Sequence, residues 1–183
     1  MIPRLSPEEL APEVDDLLRP RVERLGYLGE FFTCAAHQPA ALISFMAFTD
    51  DLKRALPDRI TETVALTVST ELDNAYERHQ HERLCLKLGL DQSWIRAVEA
   101  RDQRRGPPLS DTEHRVQALT LAILRQHGKN TTSELQSLVE AIGHVQAVAV
   151  LMLIGRYVTH ALMVNALDLA PPVPSPLEGG TIG

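Results

Sequence analysis

The sequence predicts an all-α fold, and three observations predict it. Apolar residues recur at three- and four-residue spacing along most of the chain. Helix-starting and helix-stopping residues bracket those segments. Only 145–154 is valine-rich enough to suggest a strand, and its apolar run continues through Ala161–Leu167, longer than strands usually extend. The chain's 183 residues suit one domain. A chain of that size buries roughly 70% of its unfolded surface, so its core needs neither a metal nor a disulfide.

The elements follow in order. Ser6-Pro7-Glu8-Glu9 starts a short amphipathic helix, with Pro7 at the first helical position. A second helix runs from Pro39 to about Leu56, with Leu42, Phe45, Met46 and Leu52 on one side. Pro57-Asp58 opens a third, which reaches about Glu71 and carries an acid in its first turn, as the helix dipole favours. A fourth covers Asn74 to Leu88 and stops at Gly89. Asp91 caps a fifth containing Trp94, Ile95 and Val98, and the polar stretch Arg101–Pro108 connects it onward. Ser110-x-x-Glu113 and Thr131-x-x-Glu134 are capping-box patterns ahead of two further helices. Gly143 ends the second of these, and the long apolar helix follows. The domain is expected over residues 1–172, followed by a flexible Pro/Gly-rich tail over 173–183 that could also hug a partner.

Composition excludes several classes. With 44% apolar and 23% charged residues the chain is globular, not disordered. Its net charge of −6 and scattered Lys and Arg give no basic stripe, so no nucleic-acid partner is expected. Arg156, His160 and Asn165 interrupt the apolar stretch 145–169, and the uncharged run Val145–Gly155 is too short for a bilayer. No membrane partner is expected. MIPRLSPEEL has no apolar signal core, so the expected location is cytoplasmic. Cys34 and Cys85 form no CxxC motif and read as packing residues.

The fourth helix carries the chemistry. Counting back by helical turns from Leu84 and Cys85 reaches His81 and then Glu77, on the face that points inward. Glu62 takes a similar place on the preceding helix, in line with Ala65, Leu66 and Ser69. Three inward titratable groups on adjacent helices form a candidate proton-transfer site. A local ion pair and a solvated Glu62 are the plainer alternatives. His79 falls on the other side of the helix from Glu77 and His81, so a metal site is not expected. Arg156 and His160, one turn apart, read as core or interface polar groups, with a shared pocket as the alternative.

The stretch Leu56–Leu90 resembles the core motif of the carboxymuconolactone decarboxylase and alkylhydroperoxidase (AhpD-like) family. That motif has a helix with a glutamate, then a helix with a tyrosine–glutamate pair and a histidine, then Gly-Leu. Glu62, Tyr76, Glu77, His81, Gly89 and Leu90 match it. The resemblance extends to Phe31-Phe32, His37–Leu42 and Gly155–Leu169, and covers nearly all of residues 3–172. It implies a compact multi-helix domain that packs into a homo-oligomer (dimer, trimer or hexamer). The redox branch has two cysteines where this chain has Asn74 and Glu77, so the resemblance points to the decarboxylase-like branch. Arg78 stands where that branch carries tryptophan.

The resemblance implies a lyase that uses acid–base chemistry on a small carboxylic acid or lactone, with no cofactor. His81, Glu62 and Glu77 would be catalytic, and Arg78, Tyr76 and Asn74 would meet the substrate, Arg78 as a carboxylate anchor. Peroxidase activity and a non-catalytic binding module are the competing readings.

Overall fold

The computed structural model describes residues 2–102, 104 and 106–178. After a single 3-10 turn at Pro7–Glu9 come α1 (Pro12–Leu25), α2 (Glu30–Ala35), α3 (Pro39–Ala55), α4 (Asp58–Glu71), α5 (Ala75–Lys87), α6 (Gln92–Ala100), α7 (Asp111–Gln126) and α8 (Thr132–Ala166). The expected all-α class is found, with no strand among the described residues.

Local chemistry sets most boundaries. Asn74 accepts from the Glu77 backbone N–H at 3.2 Å and caps α5, while Asp91 does the same for Trp94 at 2.8 Å and starts α6. The box at α7 forms in both directions: Ser110 N–H donates to Glu113 Oε2 at 2.6 Å, and Glu113 N–H donates to Ser110 Oγ at 3.3 Å. The expected box at Thr131 does not form. That residue has φ −105° and ψ 15°, outside the extended conformation that aims a capping oxygen at the first turn. Gly143 breaks α8 with φ 77° and ψ 169°, so the two expected helices meet end to end at a kink. The sequence reading missed α1 and α2, because Pro20 interrupts the first and the second is only six residues long.

Helix α4 is the central element, buried from Ile60 to Ser69 and packed against α5, α6, α7 and α8. Its Val64, Ala65 and Val68 join Val116, Leu119, Leu138, Val150 and Leu153 in the main core. Val14, Leu18, Phe31, Phe32, Leu42 and Met46 form a second cluster beneath the N-terminal helices. By length and composition α8 could cross a membrane. Here its inner side packs on α3, α4 and α7, and Arg156 and His160 are buried within the protein.

The tail corrects an expectation. Up to Glu178 it is not loose but lies along α5 and α6. His79 Nδ1 is 3.2 Å from Val173 O, and Arg83 Nε donates to Pro174 O at 3.0 Å. Ser175 Oγ donates to the buried Glu82 carboxylate, and Leu177 packs beside Trp94 and Ile95. Backbone carbonyls that find donors on α5 explain why a proline-rich segment with no helix of its own stays attached. Residues 179–183 of the expected tail lie outside the described residues.

Leu153 is fully buried in the main core. Leu153→Ala is expected to lower unfolding free energy by about 2–5 kcal/mol, read as a lower urea midpoint with an unchanged slope.

Candidate active site

Glu62, Glu77 and His81 converge, as their spacing predicts. Helices α4 and α5 are joined by a short turn and run side by side, which brings residue 62 opposite residue 81. His81 Nδ1 lies 2.6 Å from Glu62 Oε2, and its Nε2 lies 3.2 Å from Glu77 Oε2. All three side chains are buried. Glu77 Oε1 in turn accepts from Arg156 Nη1 at 3.0 Å, and His160 Nδ1 approaches the same oxygen at 3.2 Å. Arg156 Nε donates to Thr49 Oγ1 at 3.0 Å, and its guanidinium stacks over Tyr157 and Phe45. The result is a buried chain of alternating charge, Glu62–His81–Glu77–Arg156. Each charge has an opposite neighbour, the condition under which ions survive burial.

Protonation follows from this arrangement. Burial opposes a charge on His81, but Glu62 and Glu77 outweigh it and raise its pKa to about 9. Burial alone would raise Glu77; the surrounding His160, His81 and Arg156 overcome it and hold the carboxyl well below its usual range. Burial pushes His160 down to about 4 despite Glu77. At neutral pH His160 is therefore uncharged, and the positive charges that face Glu77 are those of His81 and Arg156. Both His81 nitrogens are engaged by carboxylates, so the ring has no lone pair for a metal. Among the described residues no three His, Cys, Asp or Glu side chains are placed to hold one.

The chain opens onto a cleft of about 310 Å³ between the N-terminal helices and α5 and α8. Glu77, His81, Arg156, His160 and Thr49 form its floor, and Tyr27, Phe32, Tyr76 and Leu84 line its walls. Arg21 and Arg24 from α1, Lys53 from α3, and Arg83 and Lys87 from α5 also line it, with Leu25, Gln80 and Val173, and the lining contains one carboxylate, Glu77.

The expected substrate contacts divide. Tyr76 lines the cleft, and its hydroxyl accepts from Phe31 N–H at 3.2 Å. Asn74 does not reach the cleft; it is the α5 cap. Arg78 also points elsewhere. One residue on from Glu77 is a rotation of roughly 100° about the helix axis, which aims Arg78 at Glu82 (3.6 Å) and Glu178 (3.5 Å). The cations that line the cleft come instead from α1, α3, α8 and other turns of α5. Arg156 and His160 satisfy both readings, since they are buried polar groups and also line the cleft. A lone arginine in an apolar helix was the available signal. Nothing in the sequence marked Arg21, Lys53 or Thr49, because only the fold brings α1 and α3 over this floor.

Cys85 is fully buried, with its thiol 3.7 Å from Glu62 Oε2. Burial and the Glu62 carboxylate push its pKa up, so it stays a thiol at neutral pH. Cys34 is a separate buried free cysteine in the N-terminal cluster.

This assembly of helices defines an AhpD-like fold. The chain superposes on an uncharacterized peroxidase-related protein with an alkylhydroperoxidase AhpD core from Ralstonia eutropha JMP134, with TM-score 0.80, 14% identity, and 92% of this chain and 90% of that one covered. The debrominase Bmp8 in complex with 2,3,4-tribromopyrrole gives TM-score 0.78 at 13% identity over 93% and 90% of the two chains. A protein of unknown function from Agrobacterium tumefaciens, described as a candidate antioxidant defence protein AhpD, gives 0.66 at 18% identity over 76% and 96%. No protein-family profile and no curated protein matches the sequence.

The Glu77–Arg156 contact yields a test. Arg156→Met takes from Glu77 its buried guanidinium partner and is expected to cost about 3–5 kcal/mol. Adding Glu77→Gln should recover part of that loss, a coupling visible in a double-mutant cycle by chemical denaturation.

Proposed function

We propose that this chain is a cofactor-independent, decarboxylase-like enzyme that acts by acid–base chemistry on a small carboxylic acid or lactone. The observation that carries this reading is a buried histidine, His81, fixed between two carboxylates at the floor of a cation-lined cleft. An acidic protein that gathers cations around one cleft is suited to an anionic substrate.

In this reading the cleft cations hold the substrate carboxylates. The bond to the departing CO2 breaks, and its electron pair moves into the substrate's own carbonyl or conjugated system. The Nε2 proton of His81 then passes, through Glu77 on the cleft floor, to the resulting carbanion or enolate. Glu62 fixes the ring through Nδ1, and Glu77 tunes its charge and helps return the proton. The thiol alternative is disfavoured by chemistry: peroxide reduction needs a thiolate and a resolving partner, and Cys85 is a buried thiol beside a carboxylate. A non-catalytic module is the remaining alternative, to be judged by turnover.

Screening β-keto acids and lactones for CO2 release or ring opening tests the activity. His81→Ala is expected to lower turnover at least about 100-fold; a folded variant with full turnover would remove His81 from the mechanism. Because the active form is the imidazolium, the rate should fall as pH rises through about 9. Glu62→Gln should move that alkaline limb to lower pH. The linked stability has the same sign: the charged ring's contribution is complete below the unfolded histidine value of about 6.5 and is lost on the way to about 9.

We also propose that the chain is cytoplasmic and self-associates through α8. Val145, Val148, Met152 and Leu162 are exposed along that helix, Val145 by 82%. No charged residue is exposed between Val145 and Ala166. Copies carrying the same net charge need a charge-free face to meet, since like groups oppose each other across a twofold. Val148→Asp is expected to shift the sedimentation coefficient towards that of a monomer.

A further inference from the structure

The cleft holds more positive charge than one carboxylate requires. Elsewhere arginines such as Arg19, Arg54, Arg101 and Arg125 are paired with acids. Among the described residues, eight Lys and Arg side chains have no acidic partner within ion-pairing distance; Arg96, Arg115 and Lys129 lie elsewhere, whereas Arg21, Arg24, Lys53, Arg83 and Lys87 all line this one cleft.

These cations are graded by depth. Arg156 is buried on the floor and already engaged by Glu77; Arg21, Lys53 and Arg83 are half-buried; Arg24 and Lys87 are exposed at the mouth. Two sequence relations build the mouth. Arg21 and Arg24 lie three residues apart on α1, and Arg83 and Lys87 lie four apart on α5, so each pair presents one helical face. Tyr27, just past the end of α1, donates to Gln80 Oε1 at 3.1 Å and ties α1 to α5. Arg21 is further fixed by its stack on Phe32, with Cζ 5.1 Å from the ring centre.

We infer that this outer ring is a phosphate subsite, and that the substrate carries a phosphate group remote from the carbon that meets His81. One carboxylate is satisfied by a single arginine fork. A phosphate monoester brings a charge near −2 and three strong acceptor oxygens, which matches several convergent donors with no acid among them. The C-terminal ends of α1, α3 and α5 each contribute only about half a negative charge, less than the full charges set on them. Burial lowers both Arg21 and Lys53 from their usual values, and repulsion from neighbouring arginines adds to this against the opposing pull of Asp50, Glu62 and Glu77. An anion at the mouth would relieve that repulsion. Remote binding of this kind positions the reacting end of a substrate without touching it.

The inference takes the cleft as the substrate site, as proposed above, but its test reads binding alone. Calorimetric titration of the full chain with inorganic pyrophosphate at low salt should show saturable binding that weakens as salt rises. Citrate at matched concentration controls for charge carried by carboxylates and should bind at least about tenfold more weakly. Arg24→Ala with Lys87→Ala, both at exposed positions, should weaken pyrophosphate at least about tenfold. Arg125→Ala, which removes an exposed arginine outside the cleft, should leave that affinity unchanged, and because binding is read without turnover the result stands apart from the proposed chemistry. Equal affinity for citrate, absence of pyrophosphate binding, or an unaffected double variant would each overturn the inference.

Discussion

The arrangement depends on how His81 is held. An imidazolium buried without partners would lose its proton, and two buried carboxylates without a cation would repel each other. Glu62 from α4 and Glu77 from α5 fix both ring nitrogens, and Arg156 from α8 balances the second carboxylate. Three helices are thereby keyed to one another by charge as well as by packing. Tyr157 stands edge-on to the His81 ring, and Phe31 lies against His160, so aromatic rings seal the chain from the core side. Only the cleft side remains open to a substrate.

That construction also explains the uneven charge of the molecule. The chain is acidic overall, at −6, yet the cleft lining is basic. A concave surface with one sign of charge and apolar walls concentrates the field and draws ions of opposite sign inward. The three solved structures compared above are 13–18% identical to the chain. Fold alone therefore does not carry a reaction across; the functional reading rests on the side chains of this cleft.

Much of this was legible in the sequence. Local rules fix α3 to α7 closely, because caps such as Asn74, Asp91 and Ser110 and stops such as Gly89 act within a few residues. The Glu62–Glu77–His81 cluster was legible for the same reason, since helical periodicity and one short turn set its geometry. What eluded the sequence is long-range. Arg21, Lys53 and Arg156 are separated by tens of residues and meet only when α1, α3 and α8 pack together. Scattered cations along the chain became a cluster in space. Arg78 misled because adjacency to Glu77 in sequence places it on a different helical face, towards Glu82 and the C-terminal segment. The tail was opaque as well: its attachment uses backbone carbonyls, which any sequence supplies, met by donors on α5.

The charge state of His81 is the central claim, and NMR titration of the imidazole ring resonances measures it directly. The chain has seven histidines, and His81→Gln identifies the signal. This ring is expected to remain protonated at pH 8 and to titrate near 9. Titration near 6.5, the value of a solvent-exposed histidine, would contradict it.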